Sequence, residues 1–195
     1  MAEPTLRLFV AVPLPAAPLA DVTRLVDEVR GGPLGRVPRW VHLPNLHLTV
    51  RFLGETPVGA LDGAAAAVRD AFAGRDAFDV VLAGAGSFPP AGKPRALWLG
   101  LERGADELGS MAGALGEALV PLGWPPDPRP YRPHLTIARL DASSRADGAA
   151  VADLLRAAAE DWRTAFRADR VVLFASHLGG APPRHDVVTE VALRG

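Results

Sequence analysis

One pattern occurs twice in the chain: HLTV at residues 47–50 and HLTI at residues 134–137, 87 positions apart. In both copies a histidine stands two positions before a threonine, inside an apolar and β-branched run that predicts a strand. Each copy is followed by an alanine-rich segment and then by an apolar run that contains Phe78 or Phe166 at nearly the same spacing. The repeated order predicts two similar halves, and it constrains the fold more than any other feature.

The remaining segments supply strands and helices between these landmarks. Strands are predicted at 7–14, 45–54, 77–88, 95–101, 134–140, 166–178 and 185–193, and helices at 17–30, 59–74, 105–122 and 147–161. Gly/Pro turns at 89–94 and 179–183 make hairpins of their flanking strands. Segment 123–133, with five prolines in eleven residues, predicts a rigid connection.

This order predicts an α+β fold of two pseudo-duplicated lobes, each a mainly antiparallel sheet with helices on its outer face, and a groove between the lobes. With 195 residues, 49% of them hydrophobic, the chain can bury one substantial core, so we expect residues 1–195 to form a single bilobal domain and a monomer. No apolar run approaches the length of a membrane span, and the first residues lack a signal-peptide pattern. We therefore expect a cytoplasmic location and no membrane partner.

Composition excludes several functions. The chain has no cysteine, which excludes disulfides, thiolate metal sites and cysteine nucleophiles. The net charge of −1 excludes a global positive field of the kind that holds long nucleic acid, so any contact with nucleic acid must be local. Nearly all cations are arginine, the side chain best suited to bidentate contacts with phosphate.

The first frame divides its side chains between the two faces of a strand. Because successive residues alternate, His47 and Thr49 point to one face, while Leu48, Val50 and Phe52 point to the other. The apolar set predicts the core face. The histidine and threonine are then available to a ligand over the sheet.

The second frame repeats the division, with His134 and Thr136 opposite Leu135 and Ile137. If a pseudo-two-fold axis relates the lobes, two histidines and two threonines converge on one groove. One imidazole can then take a proton while the other gives one, because both protonation states coexist near neutral pH. Threonine hydroxyls can hydrogen-bond phosphate oxygens. The combination favours metal-free cleavage of a phosphodiester, above all a strained cyclic one.

Histidines on strands also have structural roles. A lone one is usually structural, and a frame repeated only because both halves pack alike is the remaining alternative. His42, His177 and His185 have no partner pattern and are predicted to be surface or structural residues. Metal-ligand spacings such as H-x-H or H-E-x-x-H, a phosphate-binding G-x-x-x-x-G-K-[ST] loop and a G-x-S-x-G nucleophile are all absent from the sequence. We therefore expect no metal and no other cofactor.

With both frames in view, the sequence resembles the 2H phosphoesterase superfamily and, within it, the bacterial and archaeal RNA 2′,3′-cyclic phosphodiesterases, also known as 2′-5′ RNA ligases. The similarity covers nearly the whole chain, and its most specific stretches are RLFVAVPLP, NLHLTVRFLGE, SFPPAGKPRALWLGL and YRPHLTIARL. The resemblance implies hydrolysis of a terminal 2′,3′-cyclic phosphate to a 2′-phosphate. RNA 3′ ends, or nucleotides that carry this group, are the implied partners.

The resemblance also implies a role for each site residue: His47 as proton donor to the 3′ oxygen, His134 as proton acceptor from water, and Thr49 and Thr136 as phosphate ligands. Residues alone do not distinguish acid from base. One position departs from the family pattern, because His185 stands where relatives often carry an aromatic residue, typically tyrosine. Two alternatives remain open: a phosphodiesterase of the same superfamily acting on 2′-5′ oligoadenylate or an ADP-ribose cyclic phosphate, and a nucleotide- or phosphate-binding module without turnover.

Overall fold

The computed structural model describes residues 3–141, 145–177 and 183–195. Within these ranges the strands are β1 (Thr5–Pro13), β2 (Arg39–Trp40), β3 (His47–Pro57), β4 (Phe78–Phe88), β5 (Ala96–Arg103), β6 (Leu135–Arg139), β7 (Arg163–Ala168), β8 (Arg170–His177) and β9 (Arg184–Ala192). The helices are α1 (Ala16–Gly31), α2 (Leu61–Phe72), α3 (Ala105–Leu119) and α4 (Arg145–Ala158). Most predicted elements form close to their predicted places. The predicted turn at 179–183 lies outside the described residues except for Pro183.

The strands form two antiparallel sheets. Sheet A has the strand order β3-β1-β8-β9, and sheet B has the order β2-β6-β5-β4-β7. Helices α2 and α3 pack on sheet A, while α1 and α4 pack on sheet B. One face of each sheet is thereby buried under helices, and we call the opposite face the groove face. The α+β fold of two lobes with outer helices is confirmed.

Each sheet draws strands from both halves of the chain. The hairpin β4–β5, which follows the first His-x-Thr frame, pairs with β6 and so lies beside the second frame. The hairpin β8–β9, which follows the second frame, pairs with β1 beside the first frame. The lobes are therefore not consecutive segments. Each frame is built into a sheet with the hairpin of the other half.

The predicted strand 166–178 is wrong as a single element. The chain forms β7 in sheet B up to Ala168, passes Asp169, and continues as β8 in sheet A from Arg170. The backbone carbonyl of Asp169 accepts a hydrogen bond of 2.7 Å from the amide of Leu193. An apolar run shows that residues are extended, but it does not show which neighbour each part pairs with, and here the neighbour changes at Asp169.

Strand β3 contains two bulges, and they correct the predicted facing of Phe52. Ala11 pairs with Thr49 and Val10 with Arg51, which leaves Val50 as an extra residue, and a second irregularity lies between the partners of Leu8 and Phe9. A bulge shifts the alternation by one residue. Phe52 therefore lies opposite Phe9 with its ring 6.1 Å away, and it is 59% exposed on the groove face instead of buried in the core.

Candidate active site

His47 begins β3 and is held on the groove face by two contacts. Its Nδ1 lies 2.7 Å from the carbonyl oxygen of Asn45. A carbonyl can only accept, so Nδ1 carries the proton and Nε2 is the nitrogen left to face the groove. The imidazole stacks on the ring of Phe9 with the centroids 4.6 Å apart. Tautomer and ring plane are thus both fixed by the protein.

His134 has the same local arrangement in the other sheet. It stands directly before β6, and its Nδ1–H donates to the carbonyl oxygen of Arg132 at 2.7 Å. Phe88 packs against the imidazole edge to face, with the centroids 4.9 Å apart. Both histidines therefore donate from Nδ1 to the carbonyl two residues earlier, and both present Nε2.

Burial lowers the pKa of both histidines. The pKa of His47 falls from 6.5 to about 4; burial is the main cause, the hydrogen bond to the Asn45 carbonyl opposes it, and nearby His185 lowers the pKa further. Burial also lowers the pKa of His134, with a contribution from the charge of Arg139. In the free protein at neutral pH both imidazoles are therefore mainly neutral, and Nε2 of each can accept a proton.

Thr49 and Thr136 lie where the frames predict. Each is half-buried next to fully buried neighbours, Leu48 before Thr49 and Leu135 before Thr136. Thr49 pairs with Ala11, and Thr136 pairs with Trp98. The ladder is irregular directly after each threonine, so the local conformation of the two frames is alike as well.

The two frames are brought together where the sheets meet. Strand β3 of sheet A approaches β6 of sheet B. Between them, the hydroxyl of Tyr131 donates a hydrogen bond of 2.8 Å to the backbone carbonyl of Thr49. Tyr131 stands three residues before His134, so this bond joins one frame to the other. Burial raises the pKa of Tyr131, which remains a neutral donor.

The proline-rich segment makes two further contacts along the free edge of β3. Trp124 Nε1 donates to the Leu53 carbonyl at 3.2 Å, and the guanidinium of Arg51 donates to the carbonyl of Pro125. We call residues 124–131 the strap. It covers part of the edge of β3 and delivers the chain to His134.

Sequence reasoning missed two residues near the frames. His185 was predicted to be a surface or structural residue, but its ring lies 5.9 Å from that of His47 and 5.0 Å from that of Phe9. Arg139 was not singled out, although its charge acts on His134. The signal for Arg139 was present, since it follows Thr136 on the same strand. The resemblance marked His185 as a departure from the family pattern, but no local pattern placed it beside His47, because β9 reaches this place through sheet pairing.

Two surface depressions lie away from the histidines. One of about 480 Å³ is lined by residues that include Arg75, Asp106 and Arg194, and one of about 460 Å³ by residues that include Arg30 and Arg36. Neither includes His47 or His134. Within the described ranges, no group of three or more His, Cys, Asp or Glu residues is placed to hold a metal ion. The described helices include none that is both long and apolar enough to cross a membrane.

Two sheets that approach each other through β3 and β6, each with a histidine and a threonine on the face away from its helices, define a bilobal two-histidine protein. Comparison with known proteins agrees. Residues 15–180 match the family model described as the 2′-5′ RNA ligase superfamily, and the chain belongs to this family.

Two curated relatives are named RNA 2′,3′-cyclic phosphodiesterase. The protein of Geobacillus stearothermophilus is 33% identical over 133 residues, which are 67% of this chain and 41% of that protein. The match thus spans less than half of that relative. The protein of Methanothermobacter thermautotrophicus is 31% identical over 141 residues, 72% of this chain and 74% of that protein.

Solved structures share the fold over its whole length. A protein of Thermus thermophilus is 27% identical, with a TM-score of 0.76 and coverage of 97% of this chain and 99% of that chain. E. coli LigT in complex with 3′-AMP is 23% identical, with the same TM-score and coverage of 97% and 98%.

Proposed function

We propose that this protein is an RNA 2′,3′-cyclic phosphodiesterase that hydrolyses a terminal 2′,3′-cyclic phosphate to a 2′-phosphomonoester. The observation that carries the proposal is the matched presentation of His47 and His134, each fixed through Nδ1 and each offering Nε2 to the groove. The names of the curated relatives support the same substrate class. The proposed site also contains Thr49 and Thr136.

The proposed reaction is an in-line displacement with balanced proton transfers. Nε2 of His134 takes a proton from water as the water oxygen bonds to phosphorus. The bond between phosphorus and the 3′ oxygen breaks, and Nε2–H of His47 gives its proton to that oxygen. The 2′ ester bond stays intact. Assignment of acid and base to these two histidines rests on the family resemblance, since their local geometries are alike.

The remaining groups stabilise the phosphate. Hydroxyls of Thr49 and Thr136 donate to its non-bridging oxygens, and Arg139 adds positive charge beside His134. The bound phosphodiester anion also favours imidazolium, which raises the pKa of His47 from its low value in the free protein. If a ribose 5′-hydroxyl replaces water as the nucleophile, the same bond between phosphorus and the 3′ oxygen breaks and a 2′-5′ linkage forms. We propose that this ligation is reversible, its reverse being cleavage of a 2′-5′ linkage to a 2′,3′-cyclic phosphate and a 5′-hydroxyl.

The test is to incubate the protein with each nucleoside 2′,3′-cyclic phosphate in the presence of EDTA and to identify the product by phosphorus NMR. We expect a 2′-monophosphate, formed at a rate that added zinc or manganese does not change. A 3′-monophosphate, or turnover that requires a metal, contradicts the mechanism. Binding without product indicates a nucleotide-binding module, and turnover only of 2′-5′ oligoadenylate or of an ADP-ribose cyclic phosphate assigns a different substrate.

Variants of the histidines test the acid and base pair. His47→Ala and His134→Ala should each lower kcat by about 10²–10⁴, the usual contribution of one positioned acid or base. The double variant should lose less than the product of the two factors, because both groups act on one transition state. Exposed His42 supplies the matched control, and His42→Ala should keep the wild-type rate.

A further inference from the structure

Asn45 carries the only side-chain amide in the protein, since the sequence contains no glutamine and no second asparagine. It stands two residues before His47, at the end of the short turn Leu43–Asn45 that leads into β3. Its backbone carbonyl accepts the hydrogen bond from Nδ1–H of His47 at 2.7 Å. The position of the imidazole therefore depends on how firmly this one carbonyl is held.

The side chain of Asn45 makes a second bond, to the other half of the chain. Its amide nitrogen Nδ2 lies 2.7 Å from the carbonyl oxygen of Pro183, the residue directly before β9. A carbonyl can only accept, so the amide donates. We call the two bonds, from Pro183 through Asn45 to His47, the amide clamp. Because β3 and β9 are the two outer strands of sheet A, the clamp joins its opposite edges at one end.

The second frame holds the corresponding carbonyl in a different way. There the residue between the accepting carbonyl and the histidine is Pro133, whose ring fixes its own φ and restricts the backbone of Arg132. The first frame has Leu46 at that place, which has no such covalent restriction. A side-chain hydrogen bond in the first frame thus stands where a proline ring stands in the second.

A neutral amide suits this position because it donates without carrying charge. An arginine or lysine beside His47 would lower the pKa of the imidazole further, and burial already lowers that pKa to about 4. An aspartate would bring a second acceptor to the Pro183 carbonyl. The bond from Nδ1–H to the Asn45 carbonyl opposes the effect of burial, because it favours the imidazolium that the proposed acid step requires.

We propose that Asn45 is a positioning residue for the proton donor, and that its amide clamp holds the His47 imidazole with the proton on Nδ1 and with Nε2 towards the groove. The catalytic part of this inference rests on the proposed function. Without the clamp, the Asn45 carbonyl remains in the chain but can turn away, so both tautomers of neutral His47 become populated. The loss should appear in kcat and not in KM, because His47 gives its proton only in the transition state.

The experiment compares the wild type with Asn45→Ala by ¹⁵N NMR of the histidine rings at pH 7. The resonance of each ring nitrogen shows whether that nitrogen carries the proton, and the spectra of His47→Ala and His134→Ala assign the signals. Asn45→Ala should move His47 from the Nδ1–H towards the Nε2–H tautomer and leave His134 unchanged. With a mononucleoside 2′,3′-cyclic phosphate, kcat should fall about tenfold at unchanged KM.

Three further variants control for the amide itself. Asn45→Gln keeps the amide and should recover most of kcat together with the wild-type tautomer. Asn45→Ser should behave as Asn45→Ala does, because its hydroxyl is one atom too short, and it replaces Asn45→Ala if that variant does not fold. Thr23→Ala is the matched control: it removes a side-chain bond of the same length, 2.7 Å, to the Leu19 carbonyl within α1, and should change neither kcat nor the tautomer.

Other outcomes contradict the inference in distinct ways. An unchanged His47 tautomer in Asn45→Ala overturns the clamp, even if kcat falls. Equal changes at His47 and His134 indicate a general loss of structure and overturn it as well. A changed tautomer at unchanged kcat overturns the role in catalysis. If the wild type turns over no 2′,3′-cyclic phosphate, the proposed function is wrong, and the NMR comparison alone then decides whether the clamp positions His47.

Discussion

Removal of the hydroxyl groups of Thr49 and Thr136 tests the proposed phosphate site at the level of single atoms. A hydrogen bond to a charged oxygen contributes about 1.5–3 kcal/mol. Valine keeps the shape and the strand preference of threonine but removes the donor. We expect Thr49→Val and Thr136→Val each to lower kcat/KM by roughly 10- to 100-fold, measured with a mononucleoside 2′,3′-cyclic phosphate.

Serine supplies the control for both threonines. Thr49→Ser and Thr136→Ser should recover most of the loss, because each restores the hydroxyl, and product inhibition by a 2′-phosphate should weaken only in the valine variants. If the valine variants retained wild-type kinetics and phosphate affinity, the repeated His-x-Thr pattern would reflect packing alone.

The lowered pKa values of the histidines predict an acidic optimum for kcat/KM. Activity needs one imidazolium and one neutral imidazole. When the pH falls below the lowered pKa values of both histidines, about 4 for His47, both imidazoles are protonated and the base is lost. When the pH rises above both pKa values, which lie below 6.5, both imidazoles are neutral and the acid is lost. We expect kcat/KM to peak between these limits and to fall about tenfold per pH unit above them.

The pH profile of kcat should lie at higher pH than that of kcat/KM, because the bound phosphate anion raises both histidine pKa values. Samples incubated at each pH and assayed at pH 6 exclude loss from unfolding. A kcat/KM that still rises between pH 7 and pH 8 contradicts neutral histidines in the free protein.

Some residues of the site belong to a local sequence pattern, and others reach the site only through strand pairing. His47, Thr49, His134 and Thr136 belong to a local pattern that occurs twice, so they could be predicted. The facing of Phe52 could not, because it depends on bulges set by pairing with β1. His185 reaches His47 only through the pairing of β9 with β8, which no local pattern encodes.

At the level of elements, the hydrogen bonds of the strap contribute to stability and also position the proposed site. Tyr131→Phe removes the half-buried hydroxyl that donates to the Thr49 carbonyl. We expect the free energy of unfolding to fall by about 1 kcal/mol in urea titrations. We also expect kcat to fall about tenfold, because small displacements of reacting groups are costly.

The other end of the strap separates these two effects. Trp124→Phe removes the donor to the Leu53 carbonyl, four residues along β3 from Thr49. It should lower stability by at least as much while keeping kcat near the wild-type value. Equal loss of kcat in both variants would show that the strap contributes only general stability.

The helices and strands were largely predictable from the sequence, but the residues at which some of them begin and end were not. Apolar periodicity located α1 to α4 and most strands, because core-facing residues recur at regular spacing. The division of 163–177 into β7 and β8 could not be read from the sequence. Both parts are apolar and extended, and only the change of partner strand at Asp169 separates them.

At the level of the whole molecule, the exchange of hairpins predicts cooperative unfolding. Sheet A needs β8 and β9 from the second half, and sheet B needs β4 and β5 from the first. Because each sheet contains strands from both halves of the chain, unfolding of either half would disrupt both sheets. We propose that the chain is one domain, and we expect a single unfolding transition in urea.

Tryptophan fluorescence and far-UV circular dichroism, followed during urea titration, test this prediction. The two signals should give the same midpoint and the same dependence on urea. Two separate transitions, with one lobe melting first, would contradict a single domain. The repeat in the sequence predicted that two lobes exist, but it could not predict which hairpin joins which lobe, because pairing between distant strands depends on packing over the whole chain.

The same exchange of hairpins has a consequence during protein synthesis. The ribosome releases β3 and His47 early, yet β8 and β9, which complete the sheet around them, emerge after every other strand. A nascent chain that ends before residue 170 can carry both His-x-Thr frames and still lack half of sheet A. We therefore expect a fragment that ends there to contain both histidines and yet to lack the proposed phosphodiesterase activity.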